Sequence, residues 1–225
     1  MADLARLRAL VGQTDPGLAV DDRLPLPAPM QPLLGGRLRR GAVVAIDGGD
    51  GRTSLAMMML AGVSAAGGWC GVIGLPSFGH LAAQELGIRL ETLALVPHPG
   101  AAWAEAVGAL VTGADAVLVD PAVQVPGALA RRLAAKARQH RCTLFTLGSA
   151  WEGSDLRVSV RRQEWFGLGQ GRGRLRSRRL AMAASHRPHA ELVLWLPDEV
   201  GRVRVVQEVA EPVRLPVGGR HAQAG

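Results

Sequence analysis

The chain has 225 residues, of which 48% are hydrophobic, and a formal net charge of +7 that comes almost entirely from arginine. This length supports one substantial core, and the lack of a signal-peptide pattern or a long uncharged apolar stretch argues against secretion and membrane insertion. We therefore expect a cytoplasmic protein with no membrane partner. The basic balance favours an anionic partner, either nucleic acid or an acidic protein surface.

The N-terminal segment predicts a short helix followed by a linker. Leu4, Leu7, Leu10 and Val11 recur at helical spacing and form one apolar face. Five prolines between residues 16 and 32 predict an extended linker that leads into the core.

Strands and helices alternate from residue 30 onward. The predicted strands are Ala42–Ile46, Trp69–Leu75, Leu93–Val96, Ala116–Asp120 and Cys142–Leu147. The predicted helices are Leu55–Ala66, His80–Leu86, Ala101–Thr112 and Ala128–His140. Because the strands are apolar enough to be covered on both faces, the pattern predicts an α/β fold with a mostly parallel sheet flanked by helices.

The pattern changes to period two after residue 155. Leu156–Val160, Gly173–Ala181 and Leu192–Leu196 predict antiparallel strands at the C-terminal edge of the sheet. We therefore expect a core over residues 30–207, preceded by the helix and linker of residues 1–29. The Gly- and Pro-rich residues 208–225 are expected to form a flexible tail.

The two cysteines, Cys70 and Cys142, lie in strand-like segments without metal-ligand spacing. They are expected to be buried small hydrophobes in a reducing compartment, and no metal site is expected.

The most informative motif is a glycine-rich turn between the first buried strand and the first long helix. A nucleotide-binding P-loop has the pattern G-x-x-x-x-G-K-[ST], in which backbone N–H groups wrap the phosphates and the lysine reaches the β- and γ-phosphates. Gly48 to Thr53 gives only G-x-x-G-R-T, with Asp50 where an anion would lie and Arg52 in the lysine position. Lys136 is the only lysine in the chain. The turn predicts the fold of a nucleotide-binding protein without its chemistry.

Arg52 allows two interpretations. Arginine binds phosphate well, but it is bulkier than the lysine that a closed P-loop accommodates. Because the loop is short, an ion pair with Asp47 or Asp50 is favoured over contact with a ligand. The start of the helix at Thr53 still offers free N–H groups and a dipole to a stray anion.

These segments resemble the core of RecA-type proteins. The resemblance lies in LLGGRLRRGAVVAIDGGDGRTSL (33–55), AVLVD (116–120), TLFTLG (143–148) and the closing antiparallel run, and covers about residues 30 to 205. In that family a GGL-x-x-G segment precedes the P-loop strand and a Walker B aspartate ends a later strand. Segments 73–88, 94–107 and 164–180 are similar, more narrowly, to the short RecA-like accessory proteins of bacterial mutagenesis cassettes, of the actinobacterial ImuA-prime type.

The resemblance implies a vestigial nucleotide site. Its positions are the loop residues Gly48, Gly51, Arg52, Thr53 and Ser54, with Thr53 or Ser54 at the magnesium-binding hydroxyl, and Asp120 at the Walker B position. Asp120 is followed by proline and equally fits a carboxylate that ends a strand or caps a helix.

Two departures from the RecA pattern argue against ATP hydrolysis. The stretch Gly74–His80 lacks the carboxylate that activates water in a RecA-type ATPase. His80 is the one candidate base there, and a histidine that opens a helix is better interpreted as a cap or surface residue. The connections from Asp120 to Ala128 and from Leu147 to Asp155 are short, so both DNA-binding loops of RecA are expected to be truncated. We expect no catalytic residue and no cofactor.

Seven arginines and one acid lie within residues 161–179. Arg172, Arg174, Arg176 and Arg178 alternate, so a strand places all four on one face. Two interpretations stay open: this face binds DNA phosphates or an acidic partner, or it is a solvated edge strand kept positive against aggregation. The tryptophans nearby are interpreted as packing residues, although an exposed one would be a candidate partner anchor.

The resemblance implies a non-catalytic RecA-like adaptor in SOS-induced translesion synthesis, associated with the nucleoid. Its expected partners are a pseudo-polymerase of the Y family (ImuB-like), an error-prone C-family polymerase indirectly, DNA, and a second copy of the chain. The N-terminal helix either packs in trans on such a partner or folds back onto its own core. Two other functions stay open, an unorthodox RecA-type ATPase and a stand-alone DNA-binding or recombination-regulating protein.

Overall fold

The computed structural model describes residues 22–35, 38–121, 123–148, 151–169 and 172–207. The strands are β1 (Val43–Gly48), β2 (Cys70–Ile73), β3 (Leu93–Val96), β4 (Ala116–Val119), β5 (Thr143–Leu147), β6 (Leu156–Gly169), β7 (Arg172–Ala184), β8 (Arg187–Trp195) and β9 (Arg204–Gln207). The helices are α1 (Gln31–Leu34), α2 (Arg52–Ala65), α3 (His80–Glu85), α4 (Trp103–Leu110) and α5 (Gly127–Gln139), with short 3-10 helices at Ala28–Met30, Leu90–Thr92 and Gly100–Ala102. The N-terminal residues Leu4, Leu7, Leu10 and Val11 and the segment 208–225 lie outside the described residues.

The nine strands of the described residues form one sheet in the order β3-β2-β4-β5-β1-β6-β7-β8-β9. The six strands from β3 to β6 pair in parallel, and β7, β8 and β9 continue the sheet as an antiparallel meander. Parallel neighbours need crossover connections, which the helices between β1 and β5 supply. The fold is α/β, with a mostly parallel sheet flanked by helices and antiparallel strands at its C-terminal edge, as predicted.

The sequence prediction was wrong in one detail of this edge, because β6 is parallel to β1 and antiparallel only to β7. Strand β6 also runs nine residues beyond the predicted end at Val160, to Gly169. A register shift between Val160 and Arg162 interrupts the alternation of buried and exposed side chains at the predicted end. Strand β9 was not predicted.

Two cores lie on the two faces of the sheet. Helix α2 is buried along most of its length, including Leu55, Met59 and Val63, which explains why its sequence is apolar on all sides. It packs with β1, β2, β4 and β5, on the face that also carries Leu180 of β7. On the other face, α4 and α5 cover the parallel strands around Val117.

The proline-containing segment was expected to be a linker, and its described part instead lies on the core. Leu24 is buried, and residues Met30 to Leu34 enter the same core as α2. Gly62 of α2 makes room for this segment, because a Cβ there would lie 2.7 Å from the Pro25 carbonyl oxygen. Arg23 forms an antiparallel bridge with Arg39. Among the helices described here, none is long and apolar enough to cross a membrane.

Candidate functional site

The glycine turn joins β1 to α2, as the P-loop context requires, and it is packed tightly against β6 and β7. Gly48 has φ +96°, and a Cβ there would lie 2.2 Å from the Val160 carbonyl oxygen. Gly51 has φ +98°, and its Cβ would lie 2.5 Å from Cδ1 of Leu180 and 3.0 Å from Oε1 of Gln163. Both positions therefore require glycine, for backbone conformation and for space. Gly49, between them, faces open space.

The prediction for Arg52 needs a correction. Asp47 pairs with Arg157 of β6, whose Nη1 lies 2.6 Å from the aspartate Oδ2. Strands β1 and β6 are parallel neighbours, which brings these two side chains together. Arg52 is exposed in the first turn of α2 and forms no ion pair with Asp47 or Asp50. The arginine in the lysine position is thus left at the surface of the turn.

Asp120 follows β4 and lies near the same turn. It is half-buried, its backbone N–H donates to the Ile73 carbonyl oxygen at 2.9 Å, and its own carbonyl oxygen lies against Gly74. Burial raises the pKa of the Asp120 carboxyl, and the positive charge of Arg52 opposes that rise. Asp120 and Arg52 thus both follow the carboxyl ends of parallel strands, β4 and β1, with β5 between these strands in the sheet. Thr53 and Ser54 lie half-buried in the first turn of α2.

His80, the one candidate base in the stretch Gly74–His80, lies at the surface. This residue begins α3, is exposed, and contacts the ring of Phe78 edge-on at 6.1 Å. It is a surface residue, as the sequence interpretation favoured. The two connections expected to be short are short: β4 leads to α5 within seven residues, 120–126, and β5 to β6 within eight, 148–155.

The arginine run lies on β7, but its four members do not share one exposed face. Arg178 is buried at 8% exposure; its Nε donates to the Leu196 carbonyl oxygen at 3.0 Å and its Nη1 to Gln163 Oε1 at 3.3 Å. Its guanidinium carbon lies 4.9 Å from the ring centre of Trp165. Arg174 and Arg176 are exposed, and the side chain of Arg172 lies outside the described part of the chain.

The hairpin of β6 and β7 also contains a second register shift. Phe166 pairs with Ser177 and Leu168 with Gly173, so β7 bulges between these two pairs. Beyond the bulge, Leu168 and Leu175 are 67% and 49% exposed. We call residues 165–169 with 172–176 the hairpin tip. Trp165, at 44% exposure, is the exposed tryptophan that the sequence analysis named as a candidate anchor.

Sequence reasoning missed Gln163 and Leu180, which connect the glycine turn to the arginine strand. Gln163 lies beside Gly51 and accepts a hydrogen bond from Arg178, while Leu180 fills the space under Gly51. Their role depends on the register of β6 and β7, for which the sequence carries no local signal. The glycines at positions 48 and 51 are the one hint in the sequence, because a position that requires glycine often has a close neighbour.

Both cysteines are buried and unpaired, as expected. Burial raises the pKa of the Cys70 thiol to about 12 and that of Cys142 well above its usual range, so neither is a reactive thiolate. Within the described ranges no three His, Cys, Asp or Glu side chains are grouped so that they could hold a metal ion.

The fold and this turn define a class of α/β protein with a P-loop-like turn that lacks the lysine. Residues 32–153, just over half of the chain, match the MT3502 N-terminal domain, and the chain belongs to that family. It is also 39% identical over 113 residues to the uncharacterized protein Rv3395c of Mycobacterium tuberculosis. That stretch covers 50% of this chain and 55% of the relative, so the similarity spans about half of each protein. The family match contains the glycine turn and Asp120 and ends before β6.

Proposed function

We propose that this protein is a non-catalytic adaptor of the ImuA-prime type, with a RecA-like core, that acts in SOS-induced translesion synthesis. It would bind a Y-family pseudo-polymerase and help to place an error-prone C-family polymerase at damaged DNA. The site of action would be the cytoplasm, at the nucleoid.

The observation that carries the proposal is that the glycine turn is short, closely packed and without the P-loop lysine. Leu180 and Gln163 support the turn at Gly51 from below, and Arg52 projects at the surface in the lysine position. A P-loop binds phosphate because its backbone amides surround the anion and its lysine reaches it. The short turn supports a role in which the core provides shape and surfaces, and in which no nucleotide controls association.

The hairpin tip is the surface that best fits the pseudo-polymerase. It combines exposed apolar side chains, Trp165, Leu168 and Leu175, with two exposed arginines, Arg174 and Arg176. Tryptophan and arginine dominate binding energy at protein interfaces, and clustered exposed apolar side chains mark interaction sites.

The test is calorimetric binding of the full chain to the purified pseudo-polymerase of the same organism. The double variant Arg174→Glu with Arg176→Glu should weaken binding by about tenfold or more, because it reverses two charges at the interface. Arg131→Glu with Arg132→Glu makes the same charge change on the exposed face of α5 and serves as the matched control. Deletion of residues 1–12 tests the N-terminal helix in the same assay.

Each result bears on the proposal. Wild-type protein that does not bind the pseudo-polymerase would contradict the adaptor role. If the double variant and the deletion both bind like wild type, the assignment of surfaces is wrong. Salt-dependent binding of an oligonucleotide without any protein partner would favour the stand-alone DNA-binding function, which the exposed Arg174 and Arg176 also support.

A further inference from the structure

In the part of the chain that the structure describes, one face of the antiparallel strands carries exposed charged side chains. On β7, residues Leu180 and Met182 point into the core that α1 and α2 share, so the alternate residues Arg179 and Ala181 lie on the opposite face. On that face, the side chains of Arg162 and Glu164 on β6 are 65% and 44% exposed. We call this surface, which also includes Phe166, Val193, Trp195 and Val206, the Arg179 face.

A shallow cavity of about 110 Å³ lies on this face. It is lined by Arg162, Glu164, Arg179, Ala181, Val193 and Val206. The lining combines two guanidinium groups and one carboxylate with aliphatic side chains. Because Glu164 pairs with Arg162, the remaining cation and the aliphatic side chains suit a ligand with both a negative and an apolar group.

Arg179 is held in place at the cavity by aromatic rings. Its guanidinium carbon lies 4.7 Å from the ring centre of Trp195 and 5.2 Å from that of Phe166, and the two rings lie 5.1 Å apart. This stacking fixes the plane of the guanidinium and leaves less side-chain entropy to lose when an anion binds.

The positive charge of Arg179 is not neutralised within the described chain. Glu164 is its cross-strand partner in the ladder, yet Glu164 forms its ion pair with Arg162, at 3.6 Å. Among the described residues Arg179 forms no ion pair, and its Nε is buried without a hydrogen-bond acceptor. A buried donor without an acceptor costs free energy, so a carboxylate supplied from outside would relieve that cost.

We infer that the Arg179 face binds an acidic, apolar segment of a protein partner, with a carboxylate on Arg179 and an apolar side chain on Val193 and Val206. Among the described strands β9 is the last of the sheet, and it lies beside the cavity, so an extended segment could pair with it. This surface meets the hairpin tip at Phe166 but extends over β6 to β9, and it goes beyond the proposed function.

A protein segment fits this face better than nucleic acid does. Glu164 and Glu191 are exposed there, on β6 and β8. A nucleic acid carries a charge on every phosphate and would meet both carboxylates, whereas a peptide can place a single carboxylate on Arg179. The apolar residues Val193 and Val206 match a side chain of a peptide, and the overall charge of +7 favours an acidic one.

The experiment is a selection of random dodecapeptides, displayed on phage, on the full-length protein. Val206→Glu is the variant used to remove peptides that bind elsewhere on the protein. It is suitable because Val206 is 41% exposed and its replacement leaves the core intact. Arg179→Gln is the second variant. Val200→Glu, at a 74% exposed position outside the cavity, is the matched control.

We expect peptides that combine Asp or Glu with apolar residues, and that bind Val206→Glu and Arg179→Gln about tenfold more weakly than wild type or the control. If no peptide is recovered, or if the peptides bind both variants like wild type, the inference is overturned. It is also overturned if the variants lose affinity for oligothymidylate instead, because the face would then bind nucleic acid. The peptide experiment does not test the adaptor proposal. That proposal fails only if the pseudo-polymerase does not bind.

Discussion

Replacement of Arg178 by alanine is expected to lower the free energy of unfolding by about 3 kcal/mol. The buried guanidinium donates to the Leu196 carbonyl oxygen and to Gln163, and its removal leaves both acceptors without their donor. It also removes the cation from the face of Trp165. Urea unfolding followed by circular dichroism measures the change as a shift of the midpoint.

Arg176→Ala is the matched control, because Arg176 is on the same strand and exposed. Its effect on stability should stay within about 0.5 kcal/mol. The pair of variants separates two roles of the arginine run: Arg178 supports the fold, and Arg174 and Arg176 are available for binding. Equal unfolding midpoints for wild type and Arg178→Ala would contradict the structural role.

Replacement of Asp115 by asparagine is expected to cost about 3–4 kcal/mol of stability. Asp115 Oδ1 accepts from Arg40 at 2.7 Å, and the Arg40 side chain is only 8% exposed. Asp115 Oδ2 accepts from the Trp69 backbone N–H at 2.9 Å. An amide offers one oxygen, so its NH₂ group would face one of these two donors, and Arg40 would lose its counter-charge.

Asp22→Asn provides the control for this second substitution. Asp22 pairs with Arg39 and Arg141, and all three side chains are at least half exposed. Exposed ion pairs contribute about 0–1 kcal/mol, so the control should unfold close to the wild-type midpoint. A difference between the two variants of less than about 1 kcal/mol would show that the pair of Arg40 and Asp115 contributes no more than an exposed ion pair.

The parallel part of the fold could be predicted from sequence because its signals are local. The buried runs at β1, β4 and β5 and the apolar helix α2 each show their own periodicity, and Leu93–Val96 was predicted with its observed ends. The parallel pairing of β6 with β1 could not be predicted, since it joins residues more than 100 positions apart. The bulge after Val160 also ended the alternation on which the prediction relied.

The candidate site was predictable in its residue types and not in its contacts. The missing lysine and the short turn are visible in the sequence, and so is Asp120 at the end of a strand. The pairing of Asp47 with Arg157 and the burial of Arg178 arise from the register of β6 with its two neighbours. Alternation alone placed Arg178 on one face with the other three arginines, because alternation does not show which position on that face contacts Leu196 and Gln163.

The measurement that tests the central claim most directly is calorimetric titration of the purified full chain with ATP and magnesium. The account predicts no saturable heat up to nucleotide concentrations of about 1 mM, because the turn is short, has Arg52 in place of lysine and lies against Leu180. Saturable binding with a dissociation constant on the order of 1 μM would contradict it and would favour the unorthodox ATPase.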